Sequence, residues 1–137
     1  MGKILSDLKI IAWFFIFPVL VLIVHFFLSF FNVYGILPWF DMPIHFLGGM
    51  AVGATYFLTL KYLQGKNYLR LNNISRVIFV FALVSLTAVF WEFFEFSVTY
   101  ITGLGLQGNL DDTMFDLFLG MLGGLLAAIF LEISLKN

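Results

Sequence analysis

An all-α, polytopic membrane protein, built as an antiparallel bundle of four transmembrane helices, is predicted by three features of the sequence. Of its 137 residues, 62% are hydrophobic and only 11% charged, where a soluble domain needs roughly a quarter of its residues charged. Mean hydropathy is +1.05. Four apolar windows reach the roughly 20 residues that a helix needs to cross the hydrocarbon layer: about 10–31, 43–63, 74–102 and 112–135. An aromatic share of 20%, mostly Phe, suits a lipid-facing surface.

The first window runs from Ile10 to Phe31 with Pro18 inside it, where a proline bends a membrane helix without ending it. Lys3 and Lys9 give it a basic start like that of a signal peptide. The apolar run is too long for one, however, and no A-x-A site follows, so the segment is expected to stay attached. Asn32 to Met42 breaks the pattern with Gly35 and Pro38. Asp41 can cap the second helix, with Pro43 in its first turn. Gln64 to Asn73 is polar, and Asn72 or Asn73 can cap the third helix. Gly103, Gly105 and Gly108 loosen the connection to Asp111 and Asp112, which stand at the head of the fourth. The connections are short, so successive helices should be antiparallel neighbours, and residues 1–137 read as a single transmembrane domain.

All seven Lys and Arg (Lys3, Lys9, Lys61, Lys66, Arg70, Arg76 and Lys136) fall at one end of this arrangement. The positive-inside rule then gives a multi-pass protein of the cell (inner or plasma) membrane with N- and C-termini cytoplasmic. Trp39 should anchor at the outer interface and Trp13 near the inner one. Gly49 with Gly53, and Gly120 with Gly124, each form G-x-x-x-G, which lets backbones approach where lipid offers no hydrophobic drive. Those faces serve packing within the bundle or a homo-oligomer. A net charge of −1 leaves no basic surplus for nucleic acid. Without Cys, disulfides and thiolate metal sites are excluded.

The acids define the candidate site. Asp7 and Glu132 belong to the basic end. The other six, Asp41, Glu92, Glu95, Asp111, Asp112 and Asp116, fall on the opposite side, where no Lys or Arg can pair with them. Glu92 lies 18 residues beyond Ile74, roughly 27 Å up a helix rising 1.5 Å per residue. Asp41 and His45 are spaced i,i+4, as are Asp112 and Asp116, while Glu92 and Glu95 are i,i+3, so each pair shares one helical face. On the third helix, Ser85, Ala88, Glu92, Glu95, Thr99 and Thr102 form one stripe of small and polar residues. That stripe must face protein or water, because an ionised acid at mid-membrane costs roughly 2.5–3.5 kcal/mol. Capping offers plainer roles for Asp41, Asp111 and Asp112, and a capping box with Thr113 for Asp116. His25, in the outer half of the first helix, has no acid beside it in sequence, and its role stays open.

Carboxylates without basic partners cannot all ionise together in a low-dielectric bundle. Either protons or a divalent cation must balance them, and carboxylates with one or two imidazoles suit Mg²⁺, Mn²⁺, Fe²⁺ or Zn²⁺. The expected ligands are Asp41, His45, Glu92, Glu95, Asp112 and Asp116. Whichever of Glu92 and Glu95 the ion leaves free would act as general base on a water held at the site. The leading expectation is thus a metal-dependent hydrolase acting on a lipid-linked or envelope substrate at the outer leaflet. The Gly103 to Asn109 connection would form a flexible lip, with Gln107 as a polar contact. The alternative is a cation or proton transporter or channel subunit using the same acids. Against it, the third helix below Ser85 and the fourth from Leu125 to Leu131 are dry.

The elements Asp41-Met-Pro-Ile-His45-Phe46 with Gly48-Gly49, Trp91-Glu92 with Glu95, and Gly105-Leu-Gln-Gly-Asn109-Leu-Asp111-Asp112-Thr113-Met-Phe-Asp116 followed by Gly123 carry a resemblance. Together they resemble the YjdF-type family of bacterial inner-membrane proteins and, more distantly, the VanZ-like membrane proteins. Asn109 departs from the pattern, which has Asp there. The resemblance implies that these motifs belong together and implies no activity.

Overall fold

The computed structural model describes residues 2–135, with side chains from Leu5 onward; Lys136 and the side chain of Lys3, part of the basic end, lie outside the described residues. The chain is 85% helical, with no strand among the described residues. Helices α1 (Gly2–Phe14), α2 (Ile16–Phe30) and the short α3 (Val33–Ile36) lead through a 3₁₀ turn (Pro38–Phe40) into α4 (Asp41–Gly65), α5 (Asn73–Thr102) and α6 (Leu110–Ser134). Three uninterrupted spans are long and apolar enough to cross a membrane, Pro38–Gly65, Asn73–Thr102 and Leu110–Ser134. A fourth exists if Leu5–Phe14 and Ile16–Phe30, bent by 44° against each other, count as one broken span.

The bend expected from Pro18 is present, but the helix over residues 10–31 is interrupted there rather than only bent. Helix begins at Gly2 and breaks at Phe15, three residues before Pro18. Pro18 has no N–H, and its ring displaces the carbonyl four residues back, which belongs to Phe14. The freed oxygen is recovered by another helix: Thr55 Oγ1, buried on α4, donates to Phe14 O at 2.7 Å. The kink and the packing of α2 on α4 are thereby coupled.

The ends of the later helices follow local chemistry. Asn72 caps α5 by accepting from Ser75 N at 2.7 Å, as its position predicts. Asp41 is not a cap: Phe40 holds that position with no side-chain bond, and Asp41 is the first residue of α4. Asn109 caps α6 by accepting from Asp112 N at 3.0 Å, so neither Asp111 nor Asp112 caps, and the box between Thr113 and Asp116 does not form. Gly103 closes α5 in the left-handed region (φ 73°) and donates to Thr99 O.

Contacts fix the directions. Phe14 meets Thr55 and Asp7 meets Tyr62, so the bent first segment runs antiparallel to α4. Tyr56 meets Thr87 and Gln64 meets Arg76, so α4 and α5 are antiparallel. Arg76 meets Glu132 near the start of α5 and the end of α6. Gly49 against Gly120, and Gly53 against Gly124, set α4 and α6 side by side and parallel. A β-carbon on Gly53 would lie 2.7 Å from Gly124 Cα, and one on Gly49 would overlap the Gly120 carbonyl. Both G-x-x-x-G faces are therefore filled within the chain. Phe57, Val80, Val84 and Ala128 form the fully buried core on the basic-end side of this seam.

Candidate metal centre

The two ends of the bundle treat their acids differently. At the basic end every buried acid has a partner. Asp7 accepts from Tyr62 Oη at 2.5 Å and Tyr68 Oη at 3.1 Å, with Lys66 Nζ at 3.4 Å. Arg76 forks onto Glu132 with two bonds of 2.7 Å and donates to Gln64 and Asn73. At the other end Asp116, Glu92 and Glu95 are buried at 3%, 7% and 3% exposure. The five described Lys and Arg side chains all belong to the opposite end.

The parallel seam between α4 and α6 carries Asp41, His45 and Asp116 to one place. His45 Nε2 lies 3.6 Å from Asp41 Oδ1, one turn before it, and 3.9 Å from Asp116 Oδ2. Glu92 and Glu95 reach the same imidazole from α5. Two sets of three potential ligand atoms, Asp41–His45–Asp116 and His45–Glu92–Glu95, each lie within 4.8 Å of one another and share His45. Asp41 Oδ1, His45 Nε2, Glu92 Oε2, Asp116 Oδ1 and His25 Nε2 are buried without a hydrogen-bond partner. A buried polar atom normally finds a partner, at a cost of about 1–3 kcal/mol when it does not. Four of these atoms, on Asp41, His45, Glu92 and Asp116, belong to residues of those two sets, whose carboxylates and imidazole suit a hard or borderline divalent cation.

Five of the six expected ligands fall in those two sets, and Asp112 lies outside them. As the third residue of α6 below its Asn109 cap, Asp112 is half-buried, and its carboxylate folds back against the Cα of Gly108. Its charge there favours the positive end of the helix. Of the α5 stripe, Glu92 and Glu95 turn inward, whereas Ser85 and Thr102 bond to carbonyls of their own helix. Thr99 Oγ1 accepts from Leu106 N and Gln107 N at 3.1 and 3.0 Å. The expected flexible lip is thus tied back to α5, and Gln107 takes part through its backbone.

Three contributors were not assigned from the sequence. His25 is buried, with Nε2 3.5 Å from Glu95 Oε1, and its ring centroid is 6.4 Å from that of His45. Trp91 Nε1 donates to Glu95 Oε1 at 2.9 Å, and the i,i+4 spacing of that pair was the available signal. Tyr34 Oη lies 3.1 Å from His25 Nδ1. Burial first, then the charges of Asp41, Glu95 and Asp116, hold the Tyr34 phenol well above its usual range. Kept protonated, it can donate to Nδ1, which leaves Nε2–H facing Glu95.

The chain matches the family model described as a predicted membrane protein, DUF2238, over residues 3–137, and it belongs to that family. Neither the curated proteins nor the solved structures contain a match to it.

Proposed function

We propose that this membrane protein holds a divalent cation, Mg²⁺, Mn²⁺, Fe²⁺ or Zn²⁺, in the acidic end of its bundle. There it would act as a hydrolase on a lipid-linked or envelope substrate. One observation carries the reading: two three-residue sets of potential ligands from α4, α5 and α6 share His45, and among the described residues no Lys or Arg side chain lies at that end to neutralise them. Asp41, His45 and Asp116 are the ligands of choice. The cation would supply Lewis acidity, polarising an ester or phosphoester oxygen. Glu92 or Glu95 would take the proton of the attacking water, with Glu95 oriented by Trp91 and His25. Water then adds across the bond, giving the free acid and the alcohol.

The basic residues favour the orientation in which this end faces away from the cytoplasm, with both termini inside, as a four-helix unit of the cell membrane. The grouping of Asp41-to-Phe46, Trp91–Glu92 and Asp111–Asp112 also supports the narrower kinship with YjdF-type and VanZ-like proteins. A transport path is less well supported, since Phe57, Val80, Val84 and Ala128, none more than 1% exposed, plug the bundle below the acids.

The test is incubation of purified protein with Mn²⁺ and a lipid phosphate ester or carboxylic ester, following release of phosphate or fatty acid. Turnover that needs added metal and is lost in Glu92→Gln or Glu95→Gln supports the proposal. Metal-independent behaviour, or turnover unaffected in both Glu92→Gln and Glu95→Gln, refutes it. Proton or cation flux in liposomes that is lost in either variant would favour transport.

A further inference from the structure

Beside the carboxylates lies a cavity of about 130 Å³. Its walls are mostly apolar: Val21 and Leu22 of α2, Val52 of α4, and Val84 and Ala88 of α5, with the hydroxyl of Thr87 already bonded to Tyr56 and to the Leu83 carbonyl. Its other end is formed by His25, His45 and Asp116, so the cavity opens directly onto the proposed centre. His45 Nε2 and Asp116 Oδ1 are among the buried atoms without hydrogen-bond partners there, and Asp116 is more than nine-tenths buried. Where α2 approaches α5, it does so through rings, His25 and Phe26 against Trp91 and Phe26 against Phe94.

We infer that this cavity seats the first part of a hydrocarbon chain of a membrane lipid, entering between α2 and α5, with the lipid's polar head at the His45–Asp116 end. The inference rests on the hydrolase reading for the chemistry at the head, but the chain site stands on its own geometry. Size sets its scope. An apolar cavity of roughly 150 Å³ stays dry and takes up benzene, so this one holds about six carbons, and the remainder of a chain runs out among the neighbouring acyl tails. Water is a poor occupant of the Val52–Val84 end, because a buried water needs 2–4 polar partners. A free soluble headgroup would leave that end empty. The substrate class that fits is therefore amphiphilic, its scissile bond close to the chain.

Native mass spectrometry of the full chain, released from detergent after incubation with a short-chain phosphatidic acid, reads lipid retention. Mn²⁺ uptake, measured on the same samples by paramagnetic resonance, reads the carboxylates separately. Leu22→Trp and Val52→Phe fill the cavity from two different helices, and circular dichroism selects folded protein. The expected result is one retained lipid in the wild type and a fall of about tenfold in each folded variant, since the lost methylene burial is the affinity. Retention equal to wild type in either folded variant overturns the inference. If the wild type takes up no Mn²⁺ while retention still depends on Leu22 and Val52, the hydrolase reading falls and the chain site stands.

Discussion

Gly49 of α4 packs so closely on Gly120 of α6 that a β-carbon on the first would occupy the carbonyl oxygen of the second. The contact lies one turn along from His45 and Asp116, on the same two helices. It sets the distance across which those two side chains face each other at 3.9 Å. The candidate ligand cluster and the glycine seam are parts of one construction.

Gly49→Ala should therefore destabilise the protein even though alanine is the better helix former. The propensity gain is about 0.5–1 kcal/mol, whereas overpacking a close backbone contact costs about 1–3 kcal/mol. A carbonyl, unlike a side-chain tip, cannot rotate aside. Gly48→Ala is the control, because its β-carbon would find only Val21 Cγ1, at 3.7 Å. Thermal unfolding in detergent should show a lower midpoint for Gly49→Ala and none for Gly48→Ala; equal midpoints would contradict the assignment.

Thr55→Val should cost about 1–3 kcal/mol, the penalty for an unsatisfied buried carbonyl, here that of Phe14. Combining it with Pro18→Ala, which restores an N–H four residues after Phe14, should recover much of that loss. A double-mutant cycle on urea or thermal unfolding that gives strictly additive effects would show the two positions to be uncoupled.

Arg76 and Glu132 form a buried bidentate pair, with side chains 10% and 12% exposed. Arg76→Met should be destabilising, by up to about 3–5 kcal/mol, because the largely shielded Glu132 loses its bidentate partner, while Arg76→Met with Glu132→Met should recover most of it. Equal stability of the single and double variants would refute the pairing.

The sequence made much of this legible, for identifiable reasons. Long apolar runs and the segregation of seven basic residues to one end mark a membrane protein without any tertiary information. Spacings of three and four residues placed Glu92 with Glu95, and Asp41 with His45, because helical periodicity is local. What stayed hidden depends on where separate helices meet. His25 acquires Glu95 as a neighbour only once α2 lies against α4 and α5, and α2 reaches that place through a bend whose position Pro18 marks only indirectly. That Asn109 takes the cap of α6 and that the Asp112 carboxylate folds toward Gly108 could not be read from spacing alone. Tyr34 carries no sequence signal at all: its partner is nine residues away across a turn.

The most direct measurement is Mn²⁺ paramagnetic resonance on the purified full chain, read for bound metal and for nitrogen coupling from imidazole. The account predicts bound Mn²⁺ with histidine coupling in the wild type. Both should be kept in Asp112→Asn, the coupling should vanish in His45→Ala, and binding should weaken by about tenfold or more in Asp116→Asn. Absence of bound metal in the wild type, or metal whose coupling survives His45→Ala, would contradict it.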